Sequence, residues 1–207
     1  MIELDHVIRG VADLEEAARR WEADHRLPSV PGGRHAGLGT ENRIVPLGET
    51  YIELLAVADR EEAAASPFGS RLLARLDDGE GWVGWCMRTD DLDGVCARLG
   101  LQAGDISRTR PDGVELRARL AGLEAALDEP WRPFFIQRDG SPDEHPGRAG
   151  GVTQASGARI AALEVGADAE VLREWVGEVP GTVRVVDGPP GVRAVAVASE
   201  GGLEVLR

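Results

Sequence analysis

An extended run, a helix and then a group of short extended runs recur three times along the 207 residues, and this rhythm most narrows the fold. In the first copy residues 1–9 are an extended run, and a helix follows through about His25. Asp13 suits its N-cap, with Glu16 three residues on. Leu14, Ala17, Ala18 and Trp21 fall at i, i+3, i+4 and i+7 and give that helix one apolar face. Residues 42–47 and 50–57 read as strands joined by a turn at Gly48-Glu49. The second copy runs from a strand at 81–88 through a helix ending near Leu99. Gly100 stops that helix, Pro111-Asp112-Gly113 forms a turn, and 131–137 is a closing strand. The third starts at 159–165, continues as a helix over 168–176 and ends in strands at 182–186, 192–198 and 203–206.

One such unit cannot cover both faces of its own sheet. Two units paired into a curved mixed sheet, helices outside, can do so and leave a cleft lined by strands. The expected fold is therefore α+β, built of repeated βαβββ modules. The expected boundaries are module one at 1–58, a connecting segment at 59–79, module two at 80–140, a linker loop at 141–156 and a third module at 157–207. Within the connecting segment, residues 70–76 read as a helix. The Gly-, Pro- and Asp-rich stretch 138–156 reads as a mobile loop.

A formal charge of −13 argues against nucleic acid and against anionic membrane surfaces, both of which recruit clustered cations. No lysine occurs, which removes Schiff-base chemistry on a lysine amine. Cys86 and Cys96 are too few and too apolar in setting for a disulfide framework. No apolar run approaches a membrane span, and the chain opens without a basic or apolar leader, so a soluble, cytoplasmic protein is expected.

Two apolar strands each carry one polar residue that burial would penalise: His6 within Leu4-Asp5-His6-Val7-Ile8, and Glu53 within Tyr51-Ile52-Glu53-Leu54. A metal ion would satisfy both, since imidazole and carboxylate suit Zn, Mn, Ni or Fe. A backbone-bonded core histidine, and a Glu53 ion pair with Arg34 or Arg43, are the structural alternatives. Between them lies the glycine-rich stretch 31–40 with His35, open between a metal ligand, a general acid or base and an exposed loop residue. Asn42 and Gln137 suit substrate hydrogen bonding, and Arg110 a clamp on a substrate carboxylate. Trp82, Trp85, Phe134 and Phe135 are expected in the core and pocket wall.

The segments Leu4-Asp5-His6-Val7, Gly32 through Asn42, Pro46-Leu47-Gly48 and Tyr51-Ile52-Glu53-Leu54 together resemble the vicinal oxygen chelate superfamily. The likeness is to its glyoxalase-like branch, of the glyoxalase, bleomycin resistance and extradiol dioxygenase type. Arg110-Pro111-Asp112-Gly113, Pro133 through Gln137 and His145-Pro146 extend it to about residue 150. The resemblance implies a divalent metal held by His6 and Glu53, with His145 as a further ligand candidate, Glu53 and His35 as catalytic groups, and Asn42, Arg110, Gln137, Trp85 and Phe135 around the substrate. In the second copy Gly84 or Trp85 would stand at the first-strand ligand position and Gln137 opposite Glu53. In the third copy, Ala161 or Ala162 and Glu204 take those places. The implied activity is a metal-dependent lyase or isomerase acting on a small carbonyl or hydroxy-acid compound through neighbouring oxygens. The alternatives are a metal-free sequestering protein and an iron-dependent extradiol-type dioxygenase. The implied partner is a small molecule, and the third copy leaves a homodimer open.

Overall fold

The computed structural model describes residues 1–109, 113–149 and 157–207. The first repeat supplies β1 (Ile2–Gly10), α1 (Leu14–His25), β2 (Val30–His35), β3 (Thr40–Leu47) and β4 (Thr50–Val57). Asp13 caps α1 by accepting the Glu16 N–H at 2.8 Å, and Leu14, Ala17, Ala18 and Trp21 are its buried residues. Two short helices, α2 (Arg60–Ala65) and α3 (Pro67–Asp77), lead to the second repeat. That repeat comprises β5 (Gly81–Thr89), α4 (Leu92–Leu99), β6 (Ala103–Thr109), β7 (Glu115–Ala121), α5 (Leu123–Asp128) and β8 (Phe134–Arg138). The third holds β9 (Arg159–Gly166), α6 (Ala169–Val176), β10 (Val183–Val186), β11 (Gly191–Ser199) and β12 (Gly202–Leu206).

The first two repeats join into one closed barrel with strand order β1-β4-β3-β2-β6-β7-β8-β5. Each half contains a parallel pair, β1 with β4 and β5 with β8, and the halves meet where β1 runs antiparallel to β5. The expected cleft is therefore the barrel interior. The third repeat forms a separate four-stranded sheet, ordered β10-β9-β11-β12, with β11 packed against β5.

Both faces of the barrel wall are covered, which explains why its strands read as continuous apolar runs. Outward side chains such as Val7, Ile52, Leu54, Trp85, Met87 and Phe135 share a core with Trp21 of α1 and with Leu163 and Val195 of the third repeat's sheet. Inward ones, among them Ile8, Leu55, Phe134 and Ile136, meet Leu72 of α3 and Ala126 of α5. Each fully buried side chain of this size contributes roughly 1.5–3 kcal/mol.

The glycine-rich stretch is a strand in part, not the loop its composition suggests. β2 closes the barrel against β6, with Arg34 opposite Thr109. The 141–149 segment likewise is no loose linker. Two 3-10 turns, Pro142–Glu144 and Pro146–Arg148, dock it onto the β3–β4 turn, where Gly48 N–H donates to Gly147 O at 2.9 Å. A side chain at Gly147 would collide with the carbonyls of Gly48 and Thr50, so the docking requires glycine. Arg148 adds ion pairs to Asp143 and Glu49. Among the described residues, no helix is long and apolar enough to cross a membrane.

Candidate functional site

Inside the barrel lies a cavity of about 100 Å³, bounded by His6, Tyr51 and Glu53 on one side and by Phe134, Ile136 and Leu120 on the other. It is smaller than the roughly 300–1,000 Å³ that drug-sized ligands occupy, so a compound of few heavy atoms fits.

His6 and Asp5 are neighbours on one strand, yet both are buried, against the alternation a regular strand imposes. The register supplies the reason. Leu4 pairs with Met87 and His6 with Cys86, leaving Asp5 as a bulge residue. Asp5 then accepts from Arg138 Nη2 at 2.6 Å and from Arg138 Nε at 3.3 Å. His145 Nε2 lies 3.1 Å from its other oxygen, and His6 Nδ1 lies 2.6 Å from Oδ1. Burial alone would raise the Asp5 carboxyl, but the Arg138 guanidinium and the hydrogen bonds from His145 and His6 hold it well below the usual carboxylate range. The same carboxylate, set against the opposing effect of burial, drives the Arg138 guanidinium above its ordinary value.

With Nδ1 engaged by Asp5, the His6 ring presents Nε2 to Glu53, 3.5 Å from Oε2. Tyr51 stacks on the imidazole at 4.5 Å and Phe134 meets it edge-on at 5.5 Å, which fixes the ring plane. Burial pushes the Tyr51 hydroxyl well above its usual value, so it stays a neutral phenol accepting from Arg138 at 3.0 Å.

The other Glu53 oxygen accepts from Asn42 Nδ2 at 2.5 Å and lies 3.9 Å from His35 Nε2. Asn42 Oδ1 accepts from Arg108 Nη1 at 3.3 Å, which fixes the amide's orientation. A side chain at Gly32 would strike Asn42 Oδ1, so that bond exists because residue 32 is glycine. His35 Nδ1 is 3.0 Å from Thr40 Oγ1, and its Nε2 is 3.4 Å from Asn42 Nδ2. Burial lowers the His35 pKa, and nearby Arg108 pushes the same way against Glu53, so the ring is neutral near pH 7.

His6 Nε2 and the neutral His35 Nε2 thus both face one carboxylate, with the Asn42 amide as donor among them. A knot of acceptors of this kind suits a cation, and imidazole nitrogen with carboxylate oxygen is a donor set that divalent metals accept. Among the described residues, the group of three whose ligand atoms lie within metal-ligand reach of one another is Asp5 with His6 and Cys86. It fits an ion poorly: Asp5 is taken up by the Arg138 cation, and burial pushes the Cys86 thiol well above its ordinary value, away from the thiolate a metal needs.

The structure brings together His6, Glu53, His35 and Asn42 from the residues singled out in the sequence. It separates the others. His145 stands behind Asp5: its Nδ1 accepts the Gly147 N–H at 3.0 Å and its Nε2 meets Asp5, so neither nitrogen faces the Glu53 carboxylate. Gln137 caps α4, its Oε1 accepting from Leu92 N–H at 3.2 Å and its Nε2 donating to Asp90 O. Trp85 donates to Trp131 O at 3.2 Å in the outer core, and Phe135 is buried there beside Trp175. Strand alternation sends Phe134 and Ile136 to the cavity instead. Arg110 lies outside the described residues, and Arg108, two positions earlier, lines the cavity. Glu204 pairs with His25 at 2.7 Å, far from a ligand role. Asp5, Arg138 and Arg108 were missed. The Asp5 signal was present, a second polar residue inside the same apolar run, but a bulge cannot be read from alternation.

A family model described as a glyoxalase-like domain matches residues 4–179. A hypothetical protein from Staphylococcus aureus superposes with a TM-score of 0.71, 17% identity and coverage of 93% of this chain and 88% of its own, which shows a shared fold. Methylmalonyl-CoA epimerase from Mycobacterium tuberculosis is 24% identical over 68% of this chain and 89% of its own, at a TM-score of 0.45. The Streptomyces coelicolor methylmalonyl-CoA epimerase, in complex with 2-nitronate-propionyl-CoA, is 16% identical over 65% and 94%, at 0.46. No protein of curated function matches the chain.

Proposed function

The chain belongs to the glyoxalase-like domain family, and from that premise we propose that it is a metal-dependent lyase or isomerase acting on a small 2-oxo or 2-hydroxy acid. The observation that supports this is the approach of His6 Nε2 to Glu53 Oε2, 3.5 Å apart, on the wall of an internal cavity. A divalent ion held by His6 and Glu53 would act there as a Lewis acid on neighbouring substrate oxygens.

The chain's own groups account for the remaining needs. Arg108 lines the cavity and suits a substrate carboxylate, a task first expected of Arg110. Asn42, oriented by Arg108, holds the Glu53 carboxylate in place. His35, kept neutral by burial, offers Nε2 as a base for a proton beside the substrate carbonyl, a contribution of about 10²–10⁴-fold in rate. Apolar Ile106, Leu120 and Ile136 limit water in the cavity. Two imidazoles and one carboxylate would also suit an iron-dependent dioxygenase, but a neutral base beside a small, mostly apolar cavity favours proton transfer.

A metal-free binding protein is the second reading. It is favoured by the Asn42 hydrogen bond to Glu53, which already gives that carboxylate a partner.

The test is solvent-deuterium exchange into a panel of 2-oxo and 2-hydroxy acids, followed by proton NMR, with Zn, Mn, Ni or Fe supplied. Exchange that depends on metal and disappears in His6→Ala and Glu53→Gln is expected. Tight ligand binding that ignores both metal and the His6 substitution would leave the second reading in its place.

A further inference from the structure

We propose that Asp5 is a positioning residue that fixes His6 as its Nδ1–H tautomer, and that the docked 141–149 segment supports Asp5 in this through His145. The inference rests on the proposed metal role of His6 but concerns a proton whose location can be measured without any metal.

The assignment follows a chain of donors and acceptors that starts at a backbone amide. Gly147 N–H can only donate, so His145 Nδ1, 3.0 Å away, must accept. A neutral imidazole that accepts at one nitrogen carries its proton on the other, so His145 Nε2–H donates to Asp5 Oδ2 at 3.1 Å. Arg138 donates to both Asp5 oxygens. Among the described residues, every other partner of Asp5 is thus a donor, and an ionised carboxylate has no proton to return. His6 Nδ1, 2.6 Å from Oδ1, is left as the donor, and its lone pair is left on Nε2, facing Glu53 and the cavity. A carboxylate behind a ligating imidazole is a recurrent arrangement that orients the ring and raises its basicity, and its loss costs about 10–100-fold in metal affinity.

Two structural details show that the arrangement is built in. The bulge at Asp5 turns its side chain to the same side as His6, which a regular strand forbids. Gly147 then brings its amide to His145 at a position where any side chain would strike the β3–β4 turn. A segment some 140 residues along the chain thereby adds a donor to the carboxylate that holds the His6 proton on Nδ1.

The experiment is long-range proton–nitrogen correlation NMR of the histidine rings in the unmodified protein near pH 7.5, without metal, with His6 assigned by comparison with His6→Gln. A single His6 tautomer with protonated Nδ1 and bare Nε2 is expected, and added Zn²⁺ should shift the Nε2 resonance. In Asp5→Asn the amide can donate to Nδ1, so the Nε2–H form should appear and Zn²⁺ affinity should fall about 10–100-fold. His145→Gln, which leaves the Asp5 charge in place, should retain the native tautomer with a smaller loss. A native His6 protonated at Nε2 overturns the proposal whether or not Asp5→Asn folds, as does a folded Asp5→Asn with an unchanged tautomer and affinity. A native Nδ1–H tautomer in a protein that ignores Zn²⁺ would instead defeat the metal reading and leave the tautomer assignment standing.

Discussion

The two halves of the barrel share one topology but have opposite chemistry on their inner faces. In the first half, β1 pairs with β4 so that His6 lies opposite Tyr51, and Glu53 lies two positions further on. In the second half, β5 pairs with β8 so that Cys86 lies opposite Phe134, and Ile136 lies two positions further on. His6 and Cys86 also face each other across the junction of the halves. Cys86 and Ile136 therefore occupy the places of His6 and Glu53, not the Gly84 or Trp85 and the Gln137 that the family resemblance implies. Among the described residues the halves share a backbone plan, but the imidazole and carboxylate pair stands at these positions in the first half, a thiol and an isoleucine in the second. The second half supplies apolar walls and the arginines Arg108 and Arg138. The cation site proposed above draws its ligands from the first repeat alone.

This asymmetry can be broken most sharply by substitution at matched positions. His6→Ala should lower Zn²⁺ affinity by more than about 100-fold, beyond the range for loss of an outer partner, whereas Cys86→Ala should leave it unchanged in calorimetric titration. Equal losses would show that the halves share the ion.

The buried charges give the next effect. Asp5→Ala leaves the Arg138 guanidinium without its carboxylate, at a cost of about 3 kcal/mol in urea-unfolding measurements. The sign of its acid dependence follows from the depressed folded-state pKa. The stability from Asp5 is present above the unfolded value of about 3.9 and is lost as pH falls through the lower folded-state value. Acid unfolding of Asp5→Asn should lack that component.

Gly32→Ala should push Asn42 away from Arg108, with a stability loss of about 1 kcal/mol and weaker binding of carboxylate ligands. The cavity position makes a change in ligand affinity the decisive readout; an effect on stability alone would remove Arg108 from ligand binding.

The smallest effect concerns His35. Its pKa is lowered, so the folded state binds fewer protons than the unfolded chain below about pH 6.5, and stability should decline as pH falls through that range. His35→Gln should flatten this decline in thermal unfolding between pH 7 and 5. An unchanged slope would show that His35 is not the group responsible.

Much of the architecture was legible in the chain because apolar periodicity reports burial. The α1 face of Leu14, Ala17, Ala18 and Trp21 and the strands around His6 and Glu53 stand where periodicity put them. What escaped is what depends on partners distant in sequence. β2 looks like a loop because its glycines serve close approach to β6, and α5 has too few residues to show a period. Two consecutive polar residues, Asp5 and His6, share one side only because of a bulge across from Met87 and Cys86. His145 reads as solvated linker because its burial is created by the docking of Gly147. The choice between Phe134 and Phe135 turned on one residue of register, which spacing alone does not set.

The most direct measurement is a crystal structure of Zn²⁺-soaked protein with anomalous scattering recorded at the zinc edge. An ion about 2.0–2.2 Å from both His6 Nε2 and a Glu53 oxygen is expected, open toward the cavity. A zinc site at Asp5 and Cys86, or none within the barrel, would contradict a first-half cation centre.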